Sequence, residues 1–110
     1  MDFRVVWSAA ALADLRDLVR YIARDDRVVA KRFGDLIVTK IDALVKFPRI
    51  GRRVPEFAEE NLRQIVVSSY RVVYEIDDSM GNISVLRVWH GARDALDELS
   101  LKPGNGSSRS

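Results

Sequence analysis

The stretch Asn61–Asp94, NLRQIVVSSYRVVYEIDDSMGNISVLRVWHGARD, decides the fold of this chain. It holds three runs that are rich in β-branched residues, at positions 62–67, 71–76 and 83–89. Such runs are typical of β-strands. Ser68-Ser69 separates the first two runs, and a polar loop with Gly81-Asn82, both tolerant of positive φ, separates the second from the third. Because connections this short favour antiparallel neighbours, the stretch predicts three consecutive antiparallel strands.

Strict alternation assigns the side chains of the last two strands to opposite faces of the sheet. One parity is apolar and comprises Val72, Tyr74, Ile76, Leu86 and Val88. The other parity comprises Arg71, Val73, Glu75, Val85, Arg87 and Trp89. We expect the apolar face to pack on helices, and the second face, which carries Arg71 and Arg87, to be open.

A short first strand and two amphipathic helices precede this stretch. The run Phe3–Trp7 is β-prone, and Ser8 follows it as a candidate helix N-cap. Apolar residues then recur at helical spacing up to about residue 25, and again from about residue 28 to 45, before Pro48 ends the second helix. Since only a few residues join the two helices, they should form an antiparallel hairpin.

The predicted order is therefore β-α-α-β-β-β, an α+β fold in which a helical hairpin packs on one face of a small antiparallel sheet. The pattern does not decide which later strand the first strand joins. Residues 47–60 form a linker that we expect to be irregular and exposed. Residues 1–99 form one predicted domain, and residues 100–110, rich in Gly and Ser, a flexible tail.

Composition narrows the function classes. The chain has 110 residues, 47% of them hydrophobic and 31% charged, as in an ordinary soluble domain. It has no cysteine and one histidine, which excludes a disulfide framework and argues against a structural zinc site. We therefore expect no metal and no cofactor. No signal peptide or membrane-length apolar stretch is visible, so we expect a cytoplasmic protein that does not contact a membrane.

The basic residues are chiefly arginine, with fourteen Arg against four Lys and a net charge of +2. So mild a charge does not by itself imply nucleic acid. Arginine suits bidentate pairing with carboxylates and phosphates, although a GC-rich genome also favours it over lysine. Arg49, Arg52 and Arg53 lie together in the linker, as either an anion-binding patch or a solvated loop.

No phosphate loop, nucleophile elbow, zinc motif or dinucleotide fingerprint is present. A hydrolase triad would have to use His90, and the spacing of the serines gives it no support. RNA cleavage by the ribose 2′-OH remains open, with Arg71 and Arg87 as cations and His90, Glu75 or a tyrosine moving protons. His90 could equally be structural, at the edge of the sheet. A third hypothesis is that the arginine-lined face binds an acidic segment of a partner without catalysis.

The chain resembles the ParE/RelE superfamily of toxins from type II toxin–antitoxin systems over about residues 3–96. Four segments carry the resemblance: RVVWSAAALADLRDLVRYI at 4–22, PRIGRRVPE at 48–56, LRQIVVSSYRVVYEI at 62–76 and ISVLRVWHGARD at 83–94. The resemblance implies the same β-α-α-β-β-β order. It also implies a cognate antitoxin whose acidic, amphipathic segment wraps the toxin in a hetero-oligomer, and whose DNA-binding domain represses the operon.

The superfamily divides by target. RelE-like members cut mRNA on the ribosome, which would make Arg71, Arg87 and His90 candidates for catalysis. However, the lysines of the better-known RelE branch are missing near the sheet here, and no aromatic residue follows His90. ParE-like members poison DNA gyrase by binding, and the HGARD ending resembles theirs more closely, so gyrase is the preferred target. A degenerate, non-toxic binding partner is the third reading.

The residues predicted to bind the target or the antitoxin are Arg52, Arg71, Arg87, His90 and Arg93.

Overall fold

A computed structural model describes residues 2–91. Its elements are β1 (Arg4–Trp7), α1 (Ala9–Ala23), α2 (Arg27–Asp42), β2 (Arg52–Arg53), β3 (Leu62–Val67), β4 (Tyr70–Asp77) and β5 (Asn82–His90), with short 3-10 helices at Ala43–Val45 and Pro48–Ile50. The predicted α+β class and element order are confirmed, with β2 as an addition. The predicted tail at 100–110 lies outside the described residues. Within residues 2–91, no helix combines the length and the apolarity that crossing a bilayer requires.

The five strands form one sheet in the order β1-β5-β4-β3-β2. β3, β4 and β5 pair antiparallel, as predicted. β1 instead pairs parallel with β5, with Arg4 opposite Asn82, so the predicted antiparallel sheet has one parallel pair at its edge. The argument from short connections applies only to consecutive strands, whereas β1 and β5 are separated by most of the chain.

Both helices begin at side-chain caps. Ser8 accepts a hydrogen bond from the backbone N–H of Ala11 at 2.9 Å and donates one to the carbonyl of Leu86 at 3.0 Å. This residue therefore starts α1 and fixes it to β5. One carboxylate oxygen of Asp26 accepts from the N–H groups of Val28 and Val29, which starts α2 after a turn of three residues.

A register shift between β4 and β5 changes the predicted faces. Val73 lies opposite Arg87 and Tyr74 lies opposite Val85, so Leu86 is an extra residue in β5. Because an extra residue reverses the alternation, Val85 joins the helix-side core and Leu86 the opposite side. The faces predicted for these two residues were wrong, and the sequence carries no glycine or proline there to signal the bulge.

The helix-side core lies between the hairpin and the sheet. It buries Ala11, Leu18, Ile37, Ile41, Leu44, Val67, Val72, Tyr74, Ile76, Ile83, Val85 and Val88. The hydroxyl of Tyr74 donates to the carbonyl of Pro48 at 2.6 Å and accepts from the N–H of Gly51 at 3.0 Å. A Cβ at Gly51 would collide with this hydroxyl and with the carbonyl oxygen of Gln64. The segment after α2 is thus bound tightly to the sheet.

The opposite face of the sheet is not open. A second, smaller core buries Val54, Leu62, Val73 and Trp89, with Phe57 and Leu86 packed against them. Val54 and Phe57 belong to the linker, which was predicted to be irregular and exposed. The linker has too few apolar residues among its charged residues to show a periodic pattern. Its apolar residues nevertheless cover the second face of the sheet.

Candidate functional site

Two of the predicted site residues, Arg71 and Arg87, meet at the indole ring of Trp89. Their guanidinium carbons lie 5.7 and 5.9 Å from the ring centroid, within the range of cation–π attraction. Arg71 is 8% exposed and Trp89 is 4% exposed. The expectation that Arg71 would lie on an open face was therefore wrong, because the linker covers it. We refer to these three residues as the arginine–tryptophan cluster.

Glu56, from the linker, is the carboxylate nearest to Arg71. Its Oε2 lies 3.5 Å from Arg71 Nη1, and both side chains are largely buried. Arg71 Nε, Arg71 Nη2, Glu56 Oε1 and Trp89 Nε1 are buried without a hydrogen-bond partner. A buried polar group without a partner costs about 1–3 kcal/mol. The pair therefore neutralises charge without satisfying the guanidinium.

Asp14, on α1, holds the second arginine. Arg87 Nε donates to Asp14 Oδ2 at 2.7 Å and Arg87 Nη2 to Asp14 Oδ1 at 2.9 Å, a bidentate pair. The backbone N–H of Val88 also donates to Asp14 Oδ2, at 2.9 Å. Asp14 thus occupies the edge of β5 beyond the end of β1 and anchors α1 there. This role was not predicted, since 73 positions separate Asp14 from Arg87.

His90 lies on the other side of β5 from Trp89, as alternation requires. Its ring meets the ring of Tyr70 edge to face, with centroids 5.0 Å apart. Burial raises the pKa of the Tyr70 phenol. His90 and Tyr70 line a groove of about 530 Å³ together with Asp14, Asp17, Leu18, Tyr21 and Val88. Arg71 and His90 therefore do not converge on one surface.

Arg52 is exposed on β2, opposite Gln64, and Arg93 lies outside the described residues. Arg52 lines a groove of about 390 Å³ between the end of α2 and β3, with Lys40, Ile50, Val66 and neighbours. A second apolar groove, formed by residues 47–50, adjoins it at Ile50. We call Lys40, Phe47, Ile50, Arg52 and Val66 the edge surface.

The edge surface combines apolar and basic side chains. Phe47, Ile50 and Val66 are each more than 60% exposed, and Lys40 and Arg52 border them. Exposed apolar side chains that cluster in this way mark interaction sites. Arg49, for which an anion-binding patch with Arg52 and a solvated loop were both left open, is paired with Asp78 at 2.7 Å.

The model of the family described as ParE toxin of type II toxin–antitoxin system, parDE, matches residues 5–95. The chain belongs to the ParE toxin family. The curated protein Toxin RelE2 of Caulobacter vibrioides is 34% identical over 91 residues, which cover 82% of this ParE-family chain and 97% of the relative. The predicted membership of the ParE/RelE superfamily is confirmed.

Solved structures share the fold. A chain of the chromosomal ParDE system of P. aeruginosa superposes with a TM-score of 0.66 at 17% identity, over 81% of this chain and 96% of its own. A mutant of E. coli RelE in the free state gives a TM-score of 0.66 at 17% identity, over 100% of both chains. A chain of the RelBE2 complex of Mycobacterium tuberculosis gives 0.54 at 24% identity, over 82% and 99%.

The four segments that carried the resemblance to the ParE/RelE toxins meet around the sheet of this ParE-family chain. Asp14, from the segment at 4–22, pairs with Arg87, from the segment at 83–94. Gly51 and Glu56, from the segment at 48–56, contact Tyr74 and Arg71, respectively, in the segment at 62–76. Gly51 and Glu56 of the linker thus each have a partner in β4.

Proposed function

We propose that this toxin of a type II toxin–antitoxin system acts by binding DNA gyrase, and that a cognate antitoxin neutralises it. The arrangement of the arginine–tryptophan cluster carries the preference for binding over RNA cleavage. Cleavage would require Arg71, Arg87 and His90 to face one phosphate. Here both guanidinium groups contact carboxylates, and His90 projects from the opposite side of β5 to Trp89.

The edge surface supports an antitoxin as partner. An amphipathic acidic segment offers apolar side chains to Phe47, Ile50 and Val66 and carboxylates to Lys40 and Arg52. β3 is longer than β2, which pairs only with Arg63 and Gln64. Among the described residues, Val66 therefore has β4 on one side and no strand on the other. Apolar contact, charge complementarity and an open strand edge together suit an extended acidic segment. A hetero-oligomer follows from this mode of binding.

The test of the target is a gyrase assay with purified protein and relaxed plasmid DNA. We expect loss of supercoiling and accumulation of linear DNA, trapped by denaturation of the enzyme. A parallel assay with ribosomes and a defined mRNA should show no added cleavage. Cleavage of the mRNA with normal supercoiling would reject the gyrase proposal. Gyrase and ribosomes are both cytoplasmic, and we place the toxin there on that ground.

The name of the curated relative, Toxin RelE2, favours ribosome-dependent mRNA cleavage as the alternative. In that case Arg71 would first have to leave its contact with Glu56. A degenerate, non-toxic member is the remaining reading, and growth after induced expression separates it from both. Undiminished growth, with the protein folded and present at high level, would support a binding partner that has lost toxicity.

A further inference from the structure

The space between the linker and β4 concentrates unsatisfied polar atoms. Among residues 2–91, six buried side-chain atoms are without hydrogen-bond partners, and four of them belong to Glu56, Arg71 and Trp89. Three of the four are donors: Arg71 Nε, Arg71 Nη2 and Trp89 Nε1. A folded chain rarely leaves so many buried donors together, because each has given up its hydrogen bond to water.

The Arg71 atoms without a hydrogen-bond partner are those that bind an anion in a bidentate pair. Nε and Nη2 form one edge of the guanidinium, and this edge binds a carboxylate through two parallel hydrogen bonds. Glu56 instead approaches Nη1, at 3.5 Å, which is longer than an ordinary charge-assisted hydrogen bond. The site is therefore charged and desolvated, and Glu56 pairs with Arg71 without engaging the Nε/Nη2 edge.

The segment at 55–60, which carries Glu56, belongs to no strand of the sheet. Backbone hydrogen bonds join Phe57 to Val54 and Glu59 to Leu62, and Val54 bonds in turn to Leu62 at the start of β3. Val54, just before the segment, is buried in the second core, whereas Glu56 pairs with Arg71 and Phe57 packs against that core. Movement of these two side chains would expose Arg71 and Trp89 together.

The covered site adjoins the edge surface. Val66, which is exposed, lies directly opposite Arg71 in the β3–β4 pairing, and Trp89 lies opposite Arg71 on the other side. These three residues form one row across the sheet. A segment that packs on Val66 and Arg52 thus brings its acidic side chains within reach of Arg71.

We propose that Arg71 and Trp89 form a carboxylate-binding site, that Glu56 occupies it from within the chain, and that an acidic side chain of a bound polypeptide replaces Glu56. The inference rests on the proposed binding of an acidic antitoxin segment at the edge surface. Glu56 then sets a threshold: a partner has to displace an internal carboxylate before it binds fully.

The test uses hexaglutamate as the probe and the fluorescence of Trp89 as the signal. The chain has two tryptophans, so Trp7→Phe leaves Trp89 as the single reporter. In this background, Glu56→Gln should tighten hexaglutamate binding by about tenfold, which corresponds to one charge-assisted hydrogen bond. Glu60→Gln, which makes the same change of charge on the same segment, should leave the affinity unchanged. Arg71→Met should remove the fluorescence response.

Four results would overturn the proposal. Equal affinities for the Glu56→Gln and Glu60→Gln variants would show only a general effect of charge. Binding that needs Arg52 but not Arg71 would leave the edge surface intact and reject the site beneath the linker. Tighter binding of inorganic phosphate, rather than hexaglutamate, by Glu56→Gln would reject the carboxylate as the ligand. If no variant binds hexaglutamate, the edge surface fails as well.

A wild-type measurement covers the case in which Glu56→Gln does not fold. With only Trp7→Phe introduced, hexaglutamate should change the Trp89 emission saturably, and hexaglutamine should not. An emission unaffected by hexaglutamate while the peptide binds, as followed by calorimetry, would contradict displacement of Glu56.

Discussion

On its helix side the sheet packs a continuous apolar core around Tyr74, whose hydroxyl has both a donor and an acceptor as partners. On its linker side it covers a smaller apolar group with a segment that leaves Arg71 and Trp89 unsatisfied. The first face fixes the fold, because every element of the helical hairpin packs on it. The linker side can rearrange at a lower cost in free energy, since a smaller core holds the linker on the sheet.

A matched pair of core substitutions tests this contrast most strongly. Val72 and Val54 are both buried, one on each side of the sheet. We expect Val72→Ala to lower the free energy of unfolding by about 3 kcal/mol and Val54→Ala by about half of that, since the linker can collapse into the space. Urea denaturation of both variants measures the difference. Equal losses would mean that the two cores are equally rigid.

Removal of Asp14 should cost somewhat less. Asp14→Ala removes the carboxylate that accepts hydrogen bonds from the Arg87 guanidinium and the Val88 N–H. We expect a loss of about 2 kcal/mol, because the pair is partly solvated. Asp17→Ala, on the same helix and exposed, should change stability little. If the two variants unfold alike, the anchor between α1 and β5 contributes nothing.

Loss of the Tyr74 hydroxyl should have a smaller effect still. Tyr74→Phe keeps the ring but leaves the Gly51 N–H and the Pro48 carbonyl unpaired, for an expected loss of about 1–2 kcal/mol. Tyr21→Phe, at an exposed tyrosine, is the control. A Tyr74→Phe protein as stable as the wild type would show that water replaces the hydroxyl at no cost.

Tyr74 should also make the protein less stable at alkaline pH. Burial raises the pKa of the Tyr74 phenol above its ordinary value of 10.0, more than the hydrogen bond from Gly51 lowers it. The unfolded chain therefore releases this proton first, so the contribution of Tyr74 is complete below pH 10.0 and is lost as the pH rises through the folded pKa. Denaturation midpoints measured across this range should fall more steeply for the wild type than for Tyr74→Phe.

The smallest change in stability belongs to the edge surface. Arg52→Ala removes an exposed side chain and should alter the free energy of unfolding by less than about 0.5 kcal/mol. It should nevertheless weaken hexaglutamate binding. A fully retained affinity would remove Arg52 from the proposed surface and leave Lys40 as its basic residue.

Local signals in the sequence predicted the elements that depend on near neighbours. The cap at Ser8, the helical periodicity and the short turns of the three-strand meander all act over a few residues. The direction of β1, the bulge at Leu86 and the pairing of Asp14 with Arg87 depend on packing between distant segments. No local pattern encodes them. The same holds for the candidate site, since Arg71 and Arg87 were selected by residue type, whereas Glu56 and Trp89 were found only through the structure.

The parallel pairing of β1 with β5 has a consequence for synthesis of the chain. Arg4 meets Asn82, so the sheet cannot be completed until nearly all of the described chain has left the ribosome. The helical hairpin and the β3–β4 hairpin can form earlier from local contacts, while β1 waits for β5. Until then β1 has no strand beside it, and the apolar residues that pack against the sheet stay exposed. A nascent toxin therefore passes through a stage in which proteases and chaperones can act on it before it can act on the cell.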